Sequence, residues 1–170
     1  HGTSRRQRQM CIRDRFWVLL PQQVVTEEPE EATVICSALL EGHILLVEDH
    51  PVNQIIGRRL LERIGCEVTL AEDGQQAVQM ATRGGYDVIL MDCQMPVMDG
   101  FTATHHLRRR GITTPVIAMT ANVTAEARQQ ARQVGMDDYV TKPISLNDLK
   151  RVLRLHLQRS KKRKILRLRG

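Results

Sequence analysis

Five polar residues fall at or just beyond the ends of apolar runs, and together they could hold and transfer a phosphoryl group. Glu48 and Asp49 follow Ile44-Leu-Leu-Val47, and Asp92 follows Val88-Ile-Leu-Met91. Thr120 follows Val116-Ile-Ala-Met119, and Lys142 comes after Asp138-Tyr-Val-Thr141. Three carboxylates brought to one place repel one another unless a cation sits among them. Their oxygens suit a hard divalent ion such as Mg²⁺ (or Mn²⁺), which usually takes one or two carboxylates plus waters. That leaves coordination positions for phosphate oxygens. A lysine ammonium can pair with the same oxygens, and a threonine hydroxyl can donate to them. The set suits phosphoryl transfer to a carboxylate.

Taken singly, each residue has a plainer use. Asp49 could cap the helix that follows it, and Asp92 could be a turn aspartate. Lys142 could be a surface lysine and Thr120 a loop hydroxyl. Their joint occurrence at four strand ends favours chemistry, because an open parallel sheet gathers its reactive groups at the carboxyl ends of its strands.

The elements that must position these groups alternate along the chain. Ile44–Val47, Val68–Ala71, Val88–Met91, Val116–Met119 and Asp138–Val140 read as strands. The continuous apolar runs among them mark strands buried on both faces. Val52, Ile55, Ile56, Leu60, Leu61 and Ile64 repeat at helical spacing after Pro51, and Gly65 is placed to stop that helix. Further helices are expected over Gly74–Arg83, about Phe101–Arg109, Thr124–Val134 and Ser145 to about Gln158. The last has Leu146, Leu149, Val152, Leu153 and Leu157 on one face. Five strands alternating with five helices predict an α/β doubly wound parallel sheet with helices on both faces.

Residues 43–158 hold this pattern, and the rest of the 170-residue chain reads differently. Residues 1–15 have no helical or strand periodicity and are set aside as non-native or unstructured, while 16–42, with Glu27, Glu28, Pro29, Glu30 and Glu31, suit a linker from an upstream domain. A start at His1 rather than Met suggests a fragment. Residues 159–170 read as a basic tail. The net charge of +6 is concentrated in the two ends, so no nucleic-acid partner is expected. No apolar run reaches the roughly 18 residues of a membrane span, so a soluble segment without membrane contact is expected. Cys11, Cys36, Cys66 and Cys93 include no C-x-x-C pair, which favours reduced thiols in a cytoplasmic compartment. Cys93, Met91, Met95 and Met98 are read as packing, and His105 and His106 as solvated or partly packed helix residues.

Four blocks, Ile44-Leu-Leu-Val-Glu-Asp-His-Pro-Val-Asn53, Val88-Ile-Leu-Met-Asp-Cys-Gln-Met-Pro-Val-Met-Asp-Gly100, Pro115-Val-Ile-Ala-Met-Thr-Ala-Asn122 and Asp138-Tyr-Val-Thr-Lys-Pro143, resemble response-regulator receiver domains. Among these the likeness is greatest to receivers of hybrid sensor histidine kinases. The resemblance implies a flavodoxin-like strand order of 2-1-3-4-5. It implies that Asp92 takes a phosphoryl group from phosphohistidine in a His-Asp phosphorelay. Asp49, Asp92 and the backbone carbonyl of Gln94 would bind Mg²⁺, with Glu48 contributing to the acidic pair. Lys142 would pair with the phosphate, Thr120 and Tyr139 would act as the switch, Pro96 and Gly100 would shape the loop, and Pro143 would follow a cis peptide bond.

The implied partner is a histidine kinase or histidine phosphotransfer domain, with no small-molecule substrate beyond phosphodonors. A dimer formed on phosphorylation is compatible with the resemblance, as is a place in the cytoplasmic part of a membrane-bound sensor kinase. Such a domain catalyses only its own phosphorylation and dephosphorylation. A standalone response regulator or a truncated DNA-binding regulator is the alternative. A Mg²⁺-dependent aspartyl phosphatase fits less well, because Gln94 stands where such enzymes carry a second aspartate.

Overall fold

The computed structural model describes residues 39–121 and 124–168, with side chains as far as Lys161. The readings made for residues 1–38, for Asn122 and for the side chains after Lys161 lie outside these residues. Five strands, β1 (His43–Val47), β2 (Glu67–Ala71), β3 (Val88–Asp92), β4 (Val116–Thr120) and β5 (Asp138–Thr141), alternate with five helices. The helices are α1 (Pro51–Ile64), α2 (Gly74–Arg83), α3 (Gly100–Arg109), α4 (Ala125–Val134) and α5 (Leu146–Leu168). All strand pairs are parallel, in the order β2-β1-β3-β4-β5. This is the expected doubly wound sheet.

Successive strand residues point to opposite faces, and the core divides accordingly. Ile44, Leu46, Val88, Leu90, Ile117 and Met119 pack with Leu61 and Ile64 of α1 and Leu149, Val152, Leu153 and Leu157 of α5. Leu45, Val47, Ile89, Met91, Val116 and Ala118 pack with Ala77 and Val78 of α2 and Ala103 and Leu107 of α3. Both faces of the central strands are therefore covered, which is why β1, β3 and β4 are spelled in unbroken apolar residues. Each enclosed Leu, Ile or Val contributes roughly 1.5–3 kcal/mol by leaving water.

Local signals set most boundaries. Asp73, Asp99 and Thr124 cap α2, α3 and α4 by accepting the backbone N–H of Gln76, Thr102 and Ala127. Gly65 ends α1 with φ of 101°, a left-handed conformation that favours glycine. One plainer reading falls away and one expectation needs correction. The N-cap of α1 is His50, which makes no side-chain cap bond, so Asp49 is not spent on capping. Helix α5 runs on to Leu168 rather than ending near Gln158, so residues 159–168 are helical. Ser160 is buried there and donates to Asp87 Oδ1 at 2.9 Å, which fastens this extension to the loop before β3.

Candidate functional site

The strand order reverses between β1 and β3, and the carboxyl ends of those two strands form the crevice where ligands bind in such sheets. Glu48 and Asp49 leave β1 there, and Asp92 is the last residue of β3. One ligand oxygen from each of the three lies within 4.8 Å of the others. A cleft of about 180 Å³ is lined by Glu48, Asp49, Asp92, Gln94, Thr120 and Lys142, together with His50 and Asn53. The six residues expected to do chemistry thus share one opening.

Lys142 reaches over from the loop after β5. Its Nζ donates to Asp92 Oδ2 at 2.5 Å and to Glu48 Oε2 at 2.7 Å. The other Asp92 oxygen accepts the Gln94 backbone N–H at 3.1 Å. Burial raises the Asp92 carboxyl above its ordinary range, and the Glu48 charge adds to the rise. The hydrogen bonds from Lys142 and Gln94 offset only part of it. Burial works against the Lys142 charge, yet its bonds to Asp92 and Glu48 carry its pKa above the ordinary value. Around the one ammonium the cleft gathers three carboxylates, a surplus of negative charge. That surplus, made of oxygen donors, fits a hard divalent cation.

The predicted loop residues Pro96, Gly100 and Pro143 lie in the segments that follow Asp92 and Lys142. Gly100 is fixed by space, because a Cβ there would stand 2.1 Å from the Asp92 carbonyl oxygen. The Pro96 carbonyl accepts the Met98 N–H at 2.7 Å. Between them Val97 is 81% exposed and has φ of 67°, a conformation uncommon for a β-branched residue. The Lys142-Pro143 peptide bond is cis.

Tyr139 is not in the cleft. It lines a second cavity, of about 100 Å³, with Phe101, Ala127 and Met136, and the Arg128 guanidinium lies 5.0 Å from its ring centroid. Thr120 and Cys93 border both cavities. Cys93 is buried and its thiol is pushed up to about 12, first by burial and then by the Asp92 charge, which agrees with packing rather than nucleophilic chemistry. His105 and His106 stack edge-on to each other on α3 and do not line the cleft.

Sequence reasoning quoted Asn53 in the first signature block but gave it no role at the site. Its Nδ2 donates to Glu48 Oε1 at 2.7 Å, and Gln54 Nε2 donates to the Glu48 carbonyl at 2.7 Å. Amides in the first turn of a helix directly after an acidic pair are the signal that could have found them.

Comparison with known proteins agrees with this geometry. The family model for the response regulator receiver domain matches residues 44–154. Sensor histidine kinase RcsC of Escherichia coli is 38% identical over 119 residues, which cover 70% of this chain but only 12% of that protein. The receiver domain of sensor histidine kinase PA1611 from Pseudomonas aeruginosa superposes with a TM-score of 0.65 at 45% identity, covering 69% of this chain and 98% of that one. Its crystal structure has a magnesium ion coordinated in the active site cleft. A chain of the Saccharomyces cerevisiae complex between phosphotransfer protein Ypd1 and the receiver domain of Ssk1 matches with a TM-score of 0.63 and 30% identity, covering 66% of this chain and 86% of that one.

Proposed function

The chain belongs to the response regulator receiver domain family, and we propose that Asp92 is its phosphoacceptor, loaded from a phosphohistidine in a Mg²⁺-dependent step. The observation that carries this reading is the buried Asp92 carboxylate paired with Lys142 beside two further carboxylates. Asp49, Asp92 and the Gln94 carbonyl would hold the ion, with Glu48 behind them. When bound, the ion supplies positive charge against the oxygens of the transferring group.

The chain's own groups do the rest. An Asp92 carboxylate oxygen attacks phosphorus, the P–N bond breaks, and the imidazole leaves with the bonding pair. Lys142 passes from Asp92 Oδ2 to a phosphoryl oxygen, so its charge stays paired throughout. Thr120 turns its hydroxyl to another phosphoryl oxygen. The phosphate adds about −1.5 to −2 charges, and Thr120 relays its arrival to the cavity of Tyr139, which it also borders. Population of the switched state follows from that differential contact.

The donor is a histidine kinase or a histidine phosphotransfer domain. Val52, Ile55 and Ile56 are each at least half exposed on α1, the helix whose first turn brings Asn53 to the cleft, and Val97 is exposed in the loop after Asp92. Exposed apolar residues on the elements that build a charged opening suit a helix that presents a phosphohistidine. Placement within a hybrid sensor kinase, in its cytoplasmic part, fits the relatives. Among the described residues no helix is long and apolar enough to cross a membrane. Acetyl phosphate with Mg²⁺ should add one phosphoryl group to the chain by intact mass, and Asp92→Asn should take up none. Equal uptake by Asp92→Asn would sink the assignment.

A further inference from the structure

Glu48 is the most enclosed of the three acids, 2% exposed, and each side-chain oxygen has its own donor. Oε2 accepts from Lys142 and Oε1 from Asn53, both at 2.7 Å. Asn53 sits in the first turn of α1 and lines the cleft. Its amide differs from Lys142 in one respect that matters here: it satisfies the carboxylate without neutralising it.

Taking the cleft as a divalent-cation site, on the reading above, we propose that Asn53 is a positioning residue that weakens the grip of the acidic cluster on that cation by holding Glu48 when none is bound. A buried carboxylate oxygen without a partner is destabilising. The metal-free domain would carry most of that penalty, because an arriving cation gives Glu48 a positive charge to face. The Asn53 hydrogen bond therefore stabilises the empty cluster more than the loaded one. Linkage then requires that it lower cation affinity by the same free energy. The sign separates this role from simple support, since losing a supporting residue would loosen the cluster and weaken binding.

Asn53→Leu keeps the branching at Cγ but removes the donor. Asn53 is itself solvent-exposed, so the substitution leaves the core intact. The full chain and this variant would be titrated with MgCl₂ by calorimetry and melted with EDTA or saturating Mg²⁺. Asn53→Leu should bind Mg²⁺ more tightly, on the order of tenfold. It should melt below the wild type in EDTA and recover towards it in Mg²⁺. Asn53→Asp, which sets a like charge beside Glu48, should move both quantities the same way. Unchanged or weaker Mg²⁺ binding by both variants, or a melting loss equal with and without Mg²⁺, overturns the role of Asn53. A wild type that takes up no Mg²⁺ overturns the cation reading itself.

Discussion

Asp92→Asn should make the metal-free domain more stable, although it removes one side of a buried ion pair. At an effective dielectric of about 20, unit charges at the 2.5 Å Lys142–Asp92 separation attract by about 7 kcal/mol. A charge at 4.8 Å, the outer limit for buried Glu48, repels Asp92 by about 3.5 kcal/mol, and exposed Asp49 adds a smaller, solvent-screened repulsion. The two repulsions offset more than half of the attraction. Against the remainder stands the cost of burial: Asp92 is 5% exposed, and an ion loses far more hydration there than an amide does. Asparagine also keeps a carbonyl oxygen for Lys142. The expected gain is on the order of 1–2 kcal/mol, or roughly 3–8 °C in Tm for a domain of this size.

The pH dependence has a definite sign. Burial, aided by the Glu48 charge, raises the folded-state pKa of Asp92. A raised carboxyl pKa contributes stability that is complete below the unfolded-state value of about 3.9 and is lost as pH rises through the folded-state value. At neutral pH the wild type lacks that contribution, so Asp92→Asn should lead. The lead should shrink as the pH is lowered towards about 4. Paired thermal melts by circular dichroism, in EDTA across that range, measure it. An Asp92→Asn domain that melts below the wild type at neutral pH would show that the Lys142 pair outweighs the surplus charge, and would refute the reasoning.

Lys142→Met leaves the three carboxylates without their ammonium. It should destabilise the metal-free domain by about 3 kcal/mol in urea denaturation, and by less in saturating Mg²⁺; an equal loss in both would contradict the charge argument. Gly100→Ala drives a Cβ against the carbonyl of Asp92, in a central strand that cannot yield. A loss of about 3 kcal/mol or more is expected, and a wild-type urea midpoint would count against the close approach.

The strand ends and their order of charges were legible because β1, β3 and β4 are enclosed on both faces, and such strands are written in unbroken apolar residues. Five of the six cleft residues followed from topology, since a parallel sheet brings carboxyl ends of its strands together, while Gln94 came only with the receiver resemblance. Asp49 shows where local signals mislead: it precedes a helix and looks like a cap, yet His50 takes that position and leaves the carboxylate free for the cleft. The extension of α5 was hidden because its cationic composition reads as solvated chain, while the bond from Ser160 to Asp87 joins residues 73 positions apart. The role of Asn53 was missed for a similar reason. Its partner is only five residues away, but the contact depends on how α1 leaves β1.

The central claim is that Asp92, and no other residue, accepts the phosphoryl group from a histidine. Phosphoryl transfer from a phosphorylated histidine phosphotransfer domain, in Mg²⁺, followed by reduction with tritiated borohydride, which expels the phosphate and leaves tritium on the acyl carbon that carried it, and then peptide mapping, tests it most directly. The account predicts label on the peptide carrying Asp92, with none on Asp92→Asn and none when Mg²⁺ is chelated. Label elsewhere in the chain, or label that persists in Asp92→Asn, would contradict it.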